Sequence, residues 1–230
     1  MASATRDALL KLALPLVKNH GFTRSALSLA AMYSPSGNHT APLNDMAVDA
    51  LFGEGDEARR TLINAWLDDA RASLRSSYSQ DDVATSTTQT PSLENVLKTR
   101  LNKNEGVLEH LPEAFALLAT PPTLSSLVFP LTLDPRPAIS HSMSIAVEAC
   151  QLSGDTSVGA AWYTRRATIA AVYTAAELHQ LYSPTTAHEF LDQLLQESRA
   201  LGTALDEASI YGKYVIDALR GIIRSRGILL

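Results

Sequence analysis

The chain has 230 residues, 46% of them hydrophobic and 19% charged, with a formal net charge of −5, which is enough apolar material to bury a core without disulfide or metal staples. The one cysteine, Cys150, excludes intrachain disulfides and zinc sites built on paired thiolates, and no apolar run approaches the roughly 18 residues of a membrane span. The negative balance gives no bulk electrostatic case for DNA or RNA, so no nucleic-acid partner is expected.

Met1 to Lys11 lack the Arg-rich, acid-free character of a transit peptide and carry no secretory signal. Apolar residues recur at helical spacing along nearly the whole chain, without alternating strand patterns or Asn-Gly hairpin signals, which predicts an all-α fold. The first expected helix covers 3–19, with Leu9, Leu12, Leu16 and Val17 inward and Pro15 kinking its last turn. Gly21 ends it, and Thr23 is placed to cap a second helix bearing Ala26, Leu27, Ala30 and Ala31. After a loop over 34–40, Pro42 starts a third helix with Leu43, Met46, Ala47, Ala50 and Leu51. Together these form a helix-turn-helix-like head over 1–55.

A helical body over 56–205 begins with a helix over 56–78 whose inner stripe is Ala58, Leu62, Trp66, Ala70 and Leu74. Residues 76–91, rich in Ser, Thr, Gln and Asp, read as a flexible linker. Leu93, Val96, Leu97, Leu101, Val107, Leu108 and Leu111 then give one long helical stripe, which Pro112 restarts as a helix through Phe115, Leu117 and Leu118. Pro121, Pro122, Pro130, Pro135 and Pro137 interrupt an apolar stretch with Leu124, Leu127, Val128, Phe129, Leu131 and Leu133. That stretch is either an irregular loop covering the core or short helical pieces walling off a ligand cavity.

Helices over 138–152 and 160–181 follow, separated by the turn Gly154-Asp155-Thr156-Ser157, and Ser183-Pro184 starts another with Phe190, Leu191, Leu194 and Leu195. The last expected helix, over 206–226, is amphipathic. Lys213, Asp217, Arg220 and Arg224 share one face, Tyr211, Val215, Ala218, Leu219, Ile222 and Leu229 the other, with Tyr214 and Ile223 at the flanks. Such a helix suits either a membrane interface or docking on the core or a second subunit.

No nucleophile elbow, phosphate loop, dinucleotide glycine pattern or His-Glu-x-x-His is present, so no catalytic residue, metal or cofactor is expected. Glu177 with His179, and His188 with Glu189, read as solvated surface, since adjacent and i,i+2 positions on a helix diverge. Arg165 and Arg166 read as an ion-pairing or snorkelling feature, and Cys150, on a stripe with Met143, Ala146 and Val147, as a small buried residue. The head has no Lys or Arg between Arg24 and Arg59, whereas Asp45, Asp49, Glu54, Asp56 and Glu57 gather there. A recognition helix needs the opposite.

Two segments carry a resemblance. Ala13-Leu14-Pro15-Leu16-Val17 with His20-Gly21-Phe22-Thr23 and Ala26-Leu27, and Gly154-Asp155-Thr156-Ser157 with Trp162-Tyr163-Thr164-Arg165-Arg166, Ile169-Ala170, Tyr173-Thr174 and Glu177-Leu178, resemble the lipid-binding ubiquinone biosynthesis family, that of the ninth coenzyme Q biosynthesis protein. Phe190-Leu191-Asp192 also fits. The chain departs from the family pattern at Gly159-Ala160-Ala161, where the family carries an acidic and an aromatic or polar residue. It departs again at Cys150-Gln151, where the family has a tryptophan, and at the reduced Ser183-Pro184.

The resemblance implies an all-α fold similar to TetR-type regulators, without their DNA function, and a non-enzymatic accessory protein on the matrix face of the mitochondrial inner membrane. It implies an apolar pocket for an isoprenoid quinone or phospholipid, here assigned to Leu117, Leu118, Leu127, Leu131, Met143, Val147, Ile169, Val172 and Tyr173. It also implies presentation of the quinone to the di-iron demethoxyubiquinone hydroxylase, through Asp155, Trp162, Tyr163 and Arg165. Membrane contact is then expected through Lys213, Tyr214, Leu219, Arg220, Ile222, Ile223 and Arg224, with a homodimer hiding that apolar face in solution. The runner-up is a TetR-type transcriptional regulator with a lipid effector.

Overall fold

The computed structural model describes residues 2–34, 41–84, 90–120 and 134–201, and over these the molecule is all-α. The apolar stretch 121–133, with Leu127 and Leu131, lies outside the described residues. So does 202–230, with Lys213, Tyr214, Leu219, Arg220, Ile222, Ile223 and Arg224.

Helix α1 (Ala2–Ala13) ends where Pro15 removes a backbone donor, and a 3-10 turn over Leu14–Leu16 leads into α2 (Val17–His20). Gly21, at φ +64°, reverses the chain, and Thr23 opens α3 (Arg24–Ala30) by accepting a hydrogen bond from the Ala26 amide at 3.3 Å. The next helix, α4 (Asp45–Phe52), starts beyond Pro42, because the Asn44 side chain accepts from the Ala47 amide at 2.8 Å. The start also corrects the face: Val48 and Phe52 are buried, whereas Met46 is 81% exposed.

The long α5 (Asp56–Ala84) buries Ala58, Leu62, Trp66, Ala70 and Leu74, the stripe expected from spacing. It also runs into the segment read as a linker. Tyr78 packs on the core there, and its hydroxyl shares a 2.8 Å hydrogen bond with Thr99 of α6 (Leu93–Asn102). The single stripe expected from Leu93 to Leu111 is instead broken by a 3-10 turn over Glu105–Val107 before α7 (Leu111–Ala119), because Asn104 turns inward to bridge buried polar groups. Helices α8 (Arg136–Leu152), α9 (Ala160–Tyr182) and α10 (Ala187–Leu201) complete the described chain, α9 lying packed between the other two.

Two apolar cores result. One gathers Leu27, Phe52, Leu62, Ile63 and Leu111, with Phe22 edge-on to Trp66 at 5.7 Å. The other gathers Leu74, Leu97, Leu101, Ile145, Tyr173 and Leu191. Each large aliphatic side chain removed from water contributes about 1.5 to 3 kcal/mol. Since α5 supplies residues to both, it sets the position of α8 and α9, on which the candidate site is built.

Candidate functional site

The turn between α8 and α9 is held by one carboxylate. Gly154, at φ +70°, folds the chain back so that the Asp155 amide donates to the Cys150 carbonyl at 2.9 Å. The Asp155 side chain then meets three donors: Ser157 Oγ at 2.6 Å, Arg166 Nη1 at 3.0 Å and Arg165 Nε at 3.0 Å. The Ser157 hydrogen bond and the two guanidinium groups hold its carboxyl below the ordinary carboxylate range, against the effect of burial. Arg166 is buried, whereas half of the Arg165 side chain is exposed.

Arg166 also lies over the Trp162 ring, 4.2 Å from its centroid, and Trp162 meets Tyr163 edge-on at 4.8 Å. Trp162 is partly buried and Tyr163 is 68% exposed. A buried ion pair thus stiffens an aromatic pair at the surface. Cys150 lies beneath, and burial raises its thiol pKa.

A second group of polar side chains lies inside the bundle. Glu177, read from sequence as solvated surface, is buried. Its Oε1 accepts from Tyr173 at 2.8 Å and from Asn104 Nδ2 at 3.0 Å, and its Oε2 faces His141 Nε2 at 3.2 Å. Asn104 accepts in turn from Arg100 Nη1 at 2.6 Å and donates to Gln180. The fully buried Arg100 lies 5.5 Å from the Trp66 ring centroid. Burial alone would raise the Glu177 pKa, but the facing His141, the Arg100 charge and the Asn104 hydrogen bond outweigh it and hold the carboxyl at about 2.

This network borders a hollow of about 30 Å³ walled mainly by Leu67, Phe115, Leu118, Pro137 and Ala138, with His141, Ser142 and Glu177 as its polar members. A wider groove of about 260 Å³ lies beside it between α5, α7 and α8. Among the described residues no group of three or more His, Cys, Asp or Glu is placed to hold a metal ion. No described helix is long and apolar enough to cross a membrane.

Residues 136–202, which contain both the Asp155 turn and the Glu177 wall, match the family model described as COQ9. The ubiquinone biosynthesis protein coq9, mitochondrial, of Schizosaccharomyces pombe is 31% identical over 133 residues, 56% of this chain and 49% of that protein. Over these residues the chain is similar to the COQ9 family. The COQ9 protein of Rattus norvegicus is 23% identical over 223 residues, 93% of this chain and 64% of its own length. That of Drosophila melanogaster is 29% identical over 213 residues, 89% and 58%. The chain therefore spans about half to two thirds of the length of these relatives.

Within the stretch matched by the COQ9 model, Asp155, Trp162, Tyr163 and Arg165 form one contiguous cluster. The residues expected to line a tunnel are placed differently. Leu118 borders both hollows, but Leu117 sits in the first core, and Ile169, Val172 and Tyr173 in the second. Met143 and Val147 are partly exposed on α8. Tyr173 is fully buried with its hydroxyl tied to Glu177, so it serves the polar network. Phe115, Pro137 and His141 were missed. Pro137, which reads from the sequence as one of the loop prolines, occupies the first turn of α8, where its missing donor has no cost.

Proposed function

We propose that this chain is a non-enzymatic accessory protein of mitochondrial ubiquinone biosynthesis. It takes up an isoprenoid quinone intermediate or a phospholipid at the inner-membrane surface and presents the quinone to the demethoxyubiquinone hydroxylase. The relatives' names, ubiquinone biosynthesis protein and mitochondrial, support the pathway and the compartment. The observation that carries the presenting role is the Trp162-Tyr163 pair, its indole partly buried and its phenol ring exposed, backed by the buried Arg166-Asp155 ion pair. An aromatic anchor whose rotamer is already fixed loses little conformational entropy on docking, which is what a protein-binding hot spot requires.

Lipid uptake is supported by the mainly apolar hollow lined by Leu67, Phe115 and Leu118, which opens beside a wider groove of mixed polar and apolar lining. The basic and apolar residues from Lys213 to Arg224 are the proposed membrane contact. Co-purification of the full chain with recombinant demethoxyubiquinone hydroxylase tests the partner, and native mass spectrometry for retained lipid tests the cargo. Deletion of the chain after Ala208 should abolish flotation with anionic liposomes. A chain that retains no lipid and captures no hydroxylase would overturn the reading.

A further inference from the structure

We infer that the hollow bounded by α7, α8 and α9 is a head-group site for a hydroxylated aromatic ring, selecting a phenol or hydroquinone over the matching ether or quinone. The inference rests on the lipid-carrier reading and names what its site takes.

The inner hollow, about 30 Å³, has room for one water-sized group. Its polar members are not equivalent. The Ser142 hydroxyl is committed, donating to the Ala138 carbonyl at 2.8 Å and accepting from Thr174. Glu177 Oε1 is met by Tyr173, Asn104 and, at 3.4 Å, His141 Nε2, whereas the one recorded partner of Oε2 among the described residues is His141 at 3.2 Å. A carboxylate has about four lone-pair positions, so Oε2 keeps acceptor capacity at the wall of an otherwise apolar hollow.

The outer groove, about 260 Å³, shares Leu67, Leu118, Pro137 and His141 with the inner hollow. A substituted ring fits the groove, and a single hydroxyl fits the hollow. His141 lines both spaces, and its ring centroid lies 6.2 Å from that of Phe115, which lines the inner one. A ring seated in the groove directs its hydroxyl at Glu177.

The chemistry of the wall sets the preference. Tyr173, Asn104 and His141 stabilise the ionised carboxylate, which accepts hydrogen bonds and donates none. A phenolic O–H completes its set, while a quinone carbonyl or an ether oxygen brings a second acceptor against it in a water-poor space. Sites built to hold a hydroxyl discriminate strongly against analogues that lack it, because the buried partner is left unpaired.

Titration calorimetry of the full chain with 4-pentylphenol and 4-pentylanisole, which differ only in the donor, tests this. The phenol is expected to bind at least about tenfold tighter. Glu177→Gln, with wild-type circular dichroism, should bring the two affinities to within about threefold. Equal affinities in the wild type, no binding of either probe, or a preference that survives Glu177→Gln overturns the site. If Glu177→Gln does not fold, Ala138→Phe fills the inner hollow from the first turn of α8. Phenol affinity unchanged in that variant also overturns it. Native mass spectrometry of lipid retained after incubation with phosphatidylcholine vesicles separates the two readings: a chain that carries lipid but treats phenol and anisole alike keeps the carrier role and loses this site. A chain that binds the phenol selectively but retains no lipid does the reverse.

Discussion

Arg166 holds Trp162 and Asp155 at the same time: its guanidinium lies 4.2 Å from the indole centroid while Nη1 donates to the carboxylate at 3.0 Å. The indole cannot leave the α9 surface without disturbing a buried charge, so one ion pair fixes both the turn and the aromatic pair. Arg165, on the solvent side of Asp155, keeps a half-exposed guanidinium.

Asp155→Asn should be strongly destabilising, since Arg166 and Asp155 are almost fully shielded and the variant strands a buried charge. A loss of about 3 kcal/mol is expected. Urea denaturation measures it, and a loss below about 1 kcal/mol would mean that Arg166 finds another partner.

Tyr163→Ser should leave the fold intact, because the ring is 68% exposed and meets Trp162 only edge-on. Stability is expected to change by no more than about 0.5 kcal/mol. Capture of demethoxyubiquinone hydroxylase is expected to fall at least about tenfold. Undiminished capture would move the docking surface elsewhere.

Acid should weaken the fold through Glu177. Its folded pKa of about 2 lies below the ordinary glutamate value of 4.5. A carboxyl held low in the fold contributes stability above its unfolded pKa and loses it as pH falls through the folded one. The loss therefore falls between about pH 4.5 and pH 2, amounting to about 3 kcal/mol at full protonation. Asp155 and Asp134, also held low, act in the same direction. Glu177→Gln should flatten the dependence of unfolding free energy on pH across that window; a slope identical to wild type would assign the acid sensitivity to other groups.

The head should not bind DNA selectively. Arg24, the cation best placed to serve a recognition helix, donates to Asp49 at 2.6 Å and reaches Asp45, so it neutralises α4 instead of facing outward. Fluorescence anisotropy with genomic fragments at low salt should show no sequence preference. Asn44→Ala, which removes the α4 cap, should cost about 1 kcal/mol in thermal unfolding.

Much of this was legible in the sequence where local chemistry decides. The α5 stripe from Ala58 to Leu74, the Thr23 cap and the Gly154 turn are set by residues within a few positions of one another. The face of α4 was misjudged because Pro42 and Asn44 are both plausible starts, and a shift of two residues moves Met46 out and Val48 in. Glu177 was misread for a different reason. Its partners, His141 and Asn104, are 36 and 73 residues away, so nothing near it announces that its charge is compensated. The inward turn of Asn104, which breaks the stripe from Leu93 to Leu111, has the same distant cause.

The helix α5 passes through both apolar cores, with Trp66 in the first and Leu74 in the second, and Arg100 reaches across to the Trp66 ring. Neither half can melt without fraying a rod that the other half needs, so heat should disassemble the molecule in one cooperative transition with coincident tryptophan and circular-dichroism signals. Trp66 and Trp162, far apart in sequence, would report the same melting event.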